Sequence, residues 1–139
     1  MPTKTLTLDG NNIHDIPSFY AEINRVFMAN EDWQLGPSLD ALDDMLYGAY
    51  GAAHGQESIV LIWRNMEKNR ADLGIAATRE YYLEKLKHPD QFNVALFRKN
   101  LESLENGTGA TYFDTVQQII ADHPNITLRS QDDASSAPR

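Results

Sequence analysis

The amino-acid sequence predicts an α/β fold in which helices pack on a small three-stranded parallel sheet. Three short apolar segments, at residues 4–8, 58–64 and 126–128, are typical of strands. Helical patterns separate each of these segments from the next. Because parallel strands need long crossover connections, helices in both gaps favour a parallel arrangement.

Local signals mark the first strand and the first helix. Residues 4–8 alternate between polar and apolar side chains, and the turn-forming residues 9–12 follow them. Asp15 then precedes a helix with Pro17 in its first turn, and apolar residues recur on one face to about Met28. Residues 29–36 are predicted to form a loop.

The next segment is predicted to be a short amphipathic helix with one acidic side. Ser38 can cap its first turn, and Gly48 is a suitable residue to end it. The apolar side is formed by Leu39, Leu42, Met45 and Leu46, and the opposite side by Asp40, Asp43, Asp44 and Tyr47. Acids near a helix N-terminus can simply complement the helix dipole. However, Asp40 and Asp44 are like charges four residues apart, which disfavours a helix and suggests that a basic partner meets this side.

The second half of the chain is predicted to be mainly helical. After a glycine-rich connection at residues 48–55, the continuous apolar run at 58–64 predicts a strand buried on both faces. Helices separated by breakers are predicted over residues 65–107, although residues 92–97 could instead be extended. Thr111 and Asp114 resemble a capping box for a helix that runs to about His123, before the final strand.

Length, composition and charge limit the class of protein. A chain of 139 residues is expected to form one domain, here residues 1–129, followed by a polar disordered tail at 130–139. The chain has no cysteine, and its four histidines are far apart in sequence, so we expect no metal site and no cofactor. We find no signal peptide and no membrane-spanning run, and therefore expect a soluble cytoplasmic protein that does not bind membranes. A net charge of −8 argues against direct nucleic-acid binding and favours a basic partner.

Three segments, in this order, resemble the barstar family of ribonuclease inhibitors. They are Leu8-Asp9-Gly10 with the helix that carries Phe19-Tyr20; Leu39-Asp40-Ala41-Leu42 with Asp44 and Gly48; and the apolar run at residues 59–64. The last helix and the final strand fit as well. Most of the remainder is a helical insertion at residues 66–107, after the second strand. The resemblance implies a barstar-like α/β fold for residues 1–129.

The resemblance also implies a function and a site. The chain would be a cytoplasmic inhibitor, or immunity protein, that is a monomer when free and binds one basic ribonuclease. Carboxylates of Asp40 and Asp44 would occupy the nuclease's phosphate-binding positions, with Asp44 the deepest. The residues expected to contact the partner are Trp33, Gln34, Gly36, Asp40, Ala41, Asp43, Asp44, Tyr47, Gly48, Gln117 and Gln118. Trp33 could equally cover the core.

Several of these positions depart from the family pattern. Asp43 stands where the archetype has an aromatic residue, Tyr47 replaces a small hydroxyl residue, and Ala49 replaces another contact aromatic. Either Gln117 or Gln118 takes the place of a partner-facing acid. Such changes around a retained pair of aspartates would alter which nuclease is accepted.

Two other functions are alternatives to inhibition of a ribonuclease. The first is a barstar-like scaffold that binds a basic protein other than a nuclease, which the altered rim and the long insertion favour. The second is a small hydrolase that uses the aspartates of the acidic helix. No nucleophile motif or metal pair accompanies these aspartates, so we expect the chain not to be an enzyme.

Overall fold

The computed structural model describes residues 3–48, 50–54 and 58–131. Its strands are β1 (Lys4–Asp9), β2 (Ile59–Arg64) and β3 (Ile126–Gln131), which form one parallel sheet in the order β1-β2-β3. Within the described ranges the α-helices are α1 (Ile16–Phe27), α2 (Leu39–Tyr47), α3 (Met66–Asp72), α4 (Ile75–Leu86), α5 (Val94–Glu105) and α6 (Tyr112–Ala121). The predicted α/β fold, a three-stranded parallel sheet with helices packed on it, is therefore confirmed.

The central strand β2 shows that only one face of the sheet is fully buried. Ile59, Leu61 and Trp63 are buried, but the three residues that alternate with them are half-buried. The prediction that this strand is buried on both faces was wrong. The register places Ile62 between Thr7 and Arg129, both of which are exposed. The apolar run in β2 could not show that its neighbours on the second face are polar.

The buried face of the sheet carries an aromatic core centred on Trp63. Its ring lies 5.9 Å from that of Phe19 on α1 and 5.6 Å from that of Phe113 on α6, between ring centroids. Trp63 Nε1 donates to Asn69 Oδ1 at 2.7 Å, and the Asn69 amide donates to two backbone carbonyls in the turn after β1, each 3.1 Å away. Asn69 is fully buried. This single side chain therefore links β2, α3 and the first turn.

A second buried polar contact joins α1 to α6. The hydroxyl oxygens of Tyr20 and Tyr112 lie 2.6 Å apart, and both side chains are buried. Burial is the main reason that the pKa of Tyr20 rises to about 12, and burial followed by the neighbouring Tyr20 also raises the pKa of Tyr112. Neither hydroxyl ionises at neutral pH, so the pair acts as a neutral hydrogen bond inside the core.

Glu22 fixes α1 against the end of β1. This buried carboxylate accepts from the backbone N–H of Asp9 at 2.8 Å, from Asn12 Nδ2 at 3.2 Å and from Arg25 Nε at 2.8 Å. Burial alone would raise the pKa of Glu22, but these hydrogen bonds and the Arg25 charge outweigh it and hold the pKa below its usual value. The ionised carboxylate is therefore favoured in the folded state.

Helices α4 and α5 pack against each other within the segment predicted to be an insertion. We call residues 75–105 the helical hairpin. Residues 92–97 are not an extended segment, because α5 begins at Val94. Of the residues in the two helices, only Thr78 and Leu104 are buried. Thr78 ties the hairpin to the core, since its Oγ1 accepts from the backbone N–H of Tyr112 at 2.7 Å. The hairpin adds little to the main core.

The last helix and strand complete the sheet. Thr111 and Asp114 form the predicted capping box at the start of α6. β3 continues to Gln131, where it pairs in register with Arg64. Ser130 and Gln131 thus belong to the strand, and the predicted start of a disordered tail at Ser130 was wrong because the parallel ladder extends through both residues. The rest of that tail, residues 132–139, lies outside the described residues.

Candidate functional site

The acidic helix forms as the sequence predicts. Ser38 caps α2, with its Oγ accepting from the backbone N–H of Ala41 at 3.2 Å. Gly48 ends the helix in the left-handed conformation, at φ 112°, where a Cβ atom would be strained. Leu42, Met45 and Leu46 are buried on its inner side. The helix is therefore capped at both ends and anchored along one side.

The outer side of α2 presents its carboxylates to solvent. Asp40, Asp43 and Asp44 are all exposed. Asp40 lies near Tyr81, and Asp44 lies near Tyr50. Burial is the main cause of the raised pKa of each tyrosine, and the neighbouring aspartate adds to it. Across the described ranges, no lysine or arginine forms an ion pair with Asp40 or Asp44. Within the part of the chain that the structure describes, these two carboxylates thus have no counter-charge.

Asp43 differs from its two neighbours because it has a partner inside the protein. His123 Nε2 lies 2.7 Å from Asp43 Oδ1, and since a carboxylate only accepts, the imidazole N–H is the donor. The His123 side chain is 7% exposed, whereas that of Asp43 is 54% exposed. The Tyr47 ring lies edge-on to His123, with centroids 6.3 Å apart. We call this contact the Asp43–His123 clasp, which joins α2 to the end of α6.

Sequence reasoning treated His123 only as the end of a helix and missed the clasp. The sequence gives little indication of this contact, because the two residues are 80 positions apart and His123 lies just after α6. The proposed resemblance pointed to Asp43 as a partner-contacting residue. The structure leaves Asp43 partly exposed but gives it an internal role as well.

The loop before α2 is held in one conformation by buried hydrogen bonds. The Asn24 side chain forms two bonds with the backbone of Leu35, at 2.8 and 3.0 Å, and both residues are buried. Glu31 Oε2 accepts from the backbone N–H of Gly51 at 2.9 Å. Neither set of hydrogen bonds was predicted from the sequence. Together they position the loop without using the residues at its surface.

The exposed residues of this loop include the three that were predicted to contact a partner, Trp33, Gln34 and Gly36. Trp33 is 44% exposed, and its ring meets the Tyr50 ring edge to face with centroids 4.7 Å apart. The Tyr50 hydroxyl donates to the carbonyl of Ala41 at 2.9 Å, which links this aromatic pair to α2. Trp33 therefore forms an aromatic pair beside the acidic helix with Tyr50, a half-buried residue that packs against the main core.

The remaining candidate residues lie at the end of α2 and on α6. Tyr47 is 64% exposed at the end of α2, next to Gly48. On α6, Gln118 is exposed and shares a helix side with Thr115, three residues earlier, whereas the half-buried Gln117 directs its amide toward Met66 Sδ, 3.9 Å away. Gln117 is therefore less accessible to a partner than Gln118. Ala49 lies outside the described residues.

The outer side of α2 combines carboxylates with exposed aromatic residues. Asp40 and Asp44 form no ion pair within the described residues, and the exposed rings of Trp33 and Tyr47 lie beside them. Over the described part of the chain, His, Asp and Glu side chains nowhere gather in a group of three that could hold a metal ion. Among the helices that the structure describes, each is too short or too polar to cross a bilayer.

Comparison with known proteins supports this reading of the fold. The model of the family described as Barstar (barnase inhibitor) matches residues 3–88, more than half of the chain. The match includes β1, the acidic helix α2 and β2, and it ends just after α4. No curated protein and no solved structure matches the chain. With its parallel sheet, its capped acidic helix and this family match, the chain belongs to the barstar family.

Proposed function

We propose that this protein inhibits a ribonuclease by placing the acidic helix α2 and the loop before it in the nuclease active site. The observation that carries the proposal is the pair of exposed carboxylates, Asp40 and Asp44, which lie one helical turn apart and have no counter-charge among the described residues. The barstar family is a family of inhibitors rather than of catalysts. We extend that property to this chain and propose that it is not an enzyme.

Electrostatics explains why such a surface fits a nuclease. A ribonuclease presents Arg, Lys and His side chains to bind substrate phosphates, and carboxylates at matching positions can occupy those sites. The net charge of −8 adds a long-range field that attracts a basic protein and can raise its association rate ~10–10³-fold at low salt. The partner would therefore be a basic ribonuclease in a one-to-one complex.

The rigidity of the surface favours tight binding. Association costs free energy when loops and side chains must be ordered on contact. Here the caps at Ser38 and Gly48 fix the helix, and the bonds of Asn24 and Glu31 fix the preceding loop. Less ordering is then left for the moment of binding. In this proposal, Asp40, Asp44, Tyr47, Trp33 and Gln118 contact the nuclease.

A titration of activity tests the proposal. A panel of basic ribonucleases, including any encoded beside this chain, is assayed with increasing amounts of the purified protein. We expect full inhibition of at least one enzyme at a one-to-one ratio, weaker at high salt because the contact is electrostatic. If no enzyme in the panel slows at micromolar protein, inhibition of a ribonuclease is contradicted.

A second candidate function is binding of a basic protein that is not a nuclease. It is favoured by Asp43, which stands at a position where the family archetype has an aromatic residue and which is engaged by His123. Affinity capture on the wild-type protein, with Asp40→Asn/Asp44→Asn as the matched control, separates the two candidates. Selective recovery of a basic protein without nuclease activity would support the second candidate.

A further inference from the structure

The helical hairpin creates a cleft directly beside the first turn of α2. The cleft has a volume of about 550 Å³ and lies between residues 37–40, α4, α5 and Thr115 of α6. Its walls carry the aromatic rings of Tyr81, Tyr82, Phe92 and Phe97. Asp40 lines its edge and also stands on the outer side of α2. This hairpin cleft is therefore continuous with the proposed binding surface.

The aromatic walls of the cleft remain partly open. All four rings are half-buried, although they contact one another with centroids 5.6–6.0 Å apart. Helices α4 and α5 bury few residues in the main core. Complete burial of these four rings against one another would therefore have added stability to the hairpin. The hairpin instead leaves its aromatic residues facing the acidic helix.

The walls already attract a positive charge. Lys85 Nζ lies 4.1 Å from the centroid of the Phe92 ring and 5.2 Å from that of the Tyr81 ring, at cation–π distance. Tyr82 and Phe97 have no cation over their rings among the described residues. The cleft thus combines two half-buried rings that carry no cation with the carboxylate of Asp40, which forms no ion pair among the described residues.

We propose that the hairpin cleft binds an arginine side chain from the same basic protein that the acidic helix engages. This inference rests on the proposed function and extends its contact area to the helical hairpin. The guanidinium group pairs with Asp40, and its planar face packs on the rings of Tyr82 and Phe97. Asn100, which also lines the cleft, offers an additional oxygen acceptor.

Arginine fits this cleft better than the other side chains of a basic protein. A guanidinium group is planar, pairs with carboxylates and stacks on aromatic rings, whereas an ammonium group is a compact and strongly hydrated charge. A purely apolar side chain would leave Asp40 desolvated without a partner, which costs free energy. An acidic side chain would meet Lys85 favourably but would be repelled by Asp40.

Blocking the cleft tests the inference. In Asn100→Trp, a large ring fills the cleft from α5 while all four native rings remain. Ala95→Trp is the matched control, because Ala95 is exposed on α5 and does not line the cleft. Affinity for a ribonuclease that the wild-type protein inhibits is measured by calorimetry at one salt concentration. We expect at least a tenfold loss for Asn100→Trp and less than a twofold change for Ala95→Trp.

Lys85→Met identifies the charge of the occupant. An arginine occupant binds as well or more tightly when the competing Lys85 charge is removed, whereas an acidic occupant binds more weakly. Circular dichroism melts confirm that each variant is folded. If Asn100→Trp binds like the wild type, or Lys85→Met weakens the complex, the cleft inference is overturned while ribonuclease inhibition stands. If the wild-type protein binds no ribonuclease, both fall together.

Discussion

Removal of the Asp43–His123 clasp should destabilise the fold, although Asp43 lies on the outer side of α2. In Asp43→Ala the His123 imidazole, whose side chain is 7% exposed, loses its hydrogen-bond acceptor. A hydrogen bond to a charged group contributes about 1.5–3 kcal/mol, and an unpaired buried polar group costs about 1–3 kcal/mol. Because the Asp43 side chain is 54% exposed, water offsets part of this loss.

The matched variant Asp44→Ala isolates the contribution of the clasp. Both substitutions replace Asp by Ala in the same helix, so the gain in helix propensity is similar in each. The Asp44 side chain has no hydrogen-bond or ion-pair partner among the described residues, and its removal also relieves repulsion with Asp40. We therefore expect Asp43→Ala to be less stable than Asp44→Ala by about 1–2 kcal/mol.

Urea denaturation measures this difference. Circular dichroism and the fluorescence of the buried Trp63 monitor the unfolding. The slope of the free energy with urea should be the same for both variants, so that midpoints report stability. Asp43→Asn keeps an oxygen acceptor and should recover part of the loss. Equal unfolding free energies for Asp43→Ala and Asp44→Ala would show that the clasp contributes nothing in solution.

Three further predictions concern buried polar groups. The pKa of Glu22 is lower in the folded state than its ordinary value of 4.5, so its contribution is fully present above that pH and is lost as the pH falls through the folded value. In urea denaturation, the stability advantage of the wild type over Glu22→Gln should therefore be constant at neutral pH and shrink as the pH falls below 4.5. Tyr20→Phe and Tyr112→Phe should each cost about 1–2 kcal/mol, and the double variant should cost less than their sum, because it leaves no hydroxyl unpaired. Asn69→Leu should cost about 1–3 kcal/mol in the same measurement, because it leaves the buried Trp63 N–H without an acceptor. The two carbonyls that Asn69 contacts keep other donors, since Gly10 O accepts from the backbone N–H of Ile13 and Ile13 O accepts from Lys68 Nζ.

Local signals in the sequence were enough to predict the main elements of the fold. The cap at Ser38, the stop at Gly48 and the capping box at Thr111 depend only on residues within one turn of each other. For this reason the acidic helix and α6 could be placed within a residue or two. The order of strands and helices then favoured parallel pairing, as observed.

Features that depend on distant residues could not be predicted in the same way. The exposure of one face of β2 is decided by Thr7 and Arg129 on neighbouring strands, which no local pattern in β2 reveals. The clasp likewise joins Asp43 to His123 across the fold. The hairpin cleft depends on how α4 and α5 lie beside α2, which their own sequence periodicity does not define.

In the proposed function, Asp44 contributes to binding of the nuclease rather than to folding. The most direct measurement compares wild-type and Asp44→Ala affinities for an inhibited ribonuclease, alongside their unfolding free energies. We expect the complex to weaken by about 2 kcal/mol or more, or ~30-fold in Kd, with thermal stability unchanged or slightly raised. Equal affinity of the two proteins for the nuclease would contradict the claim.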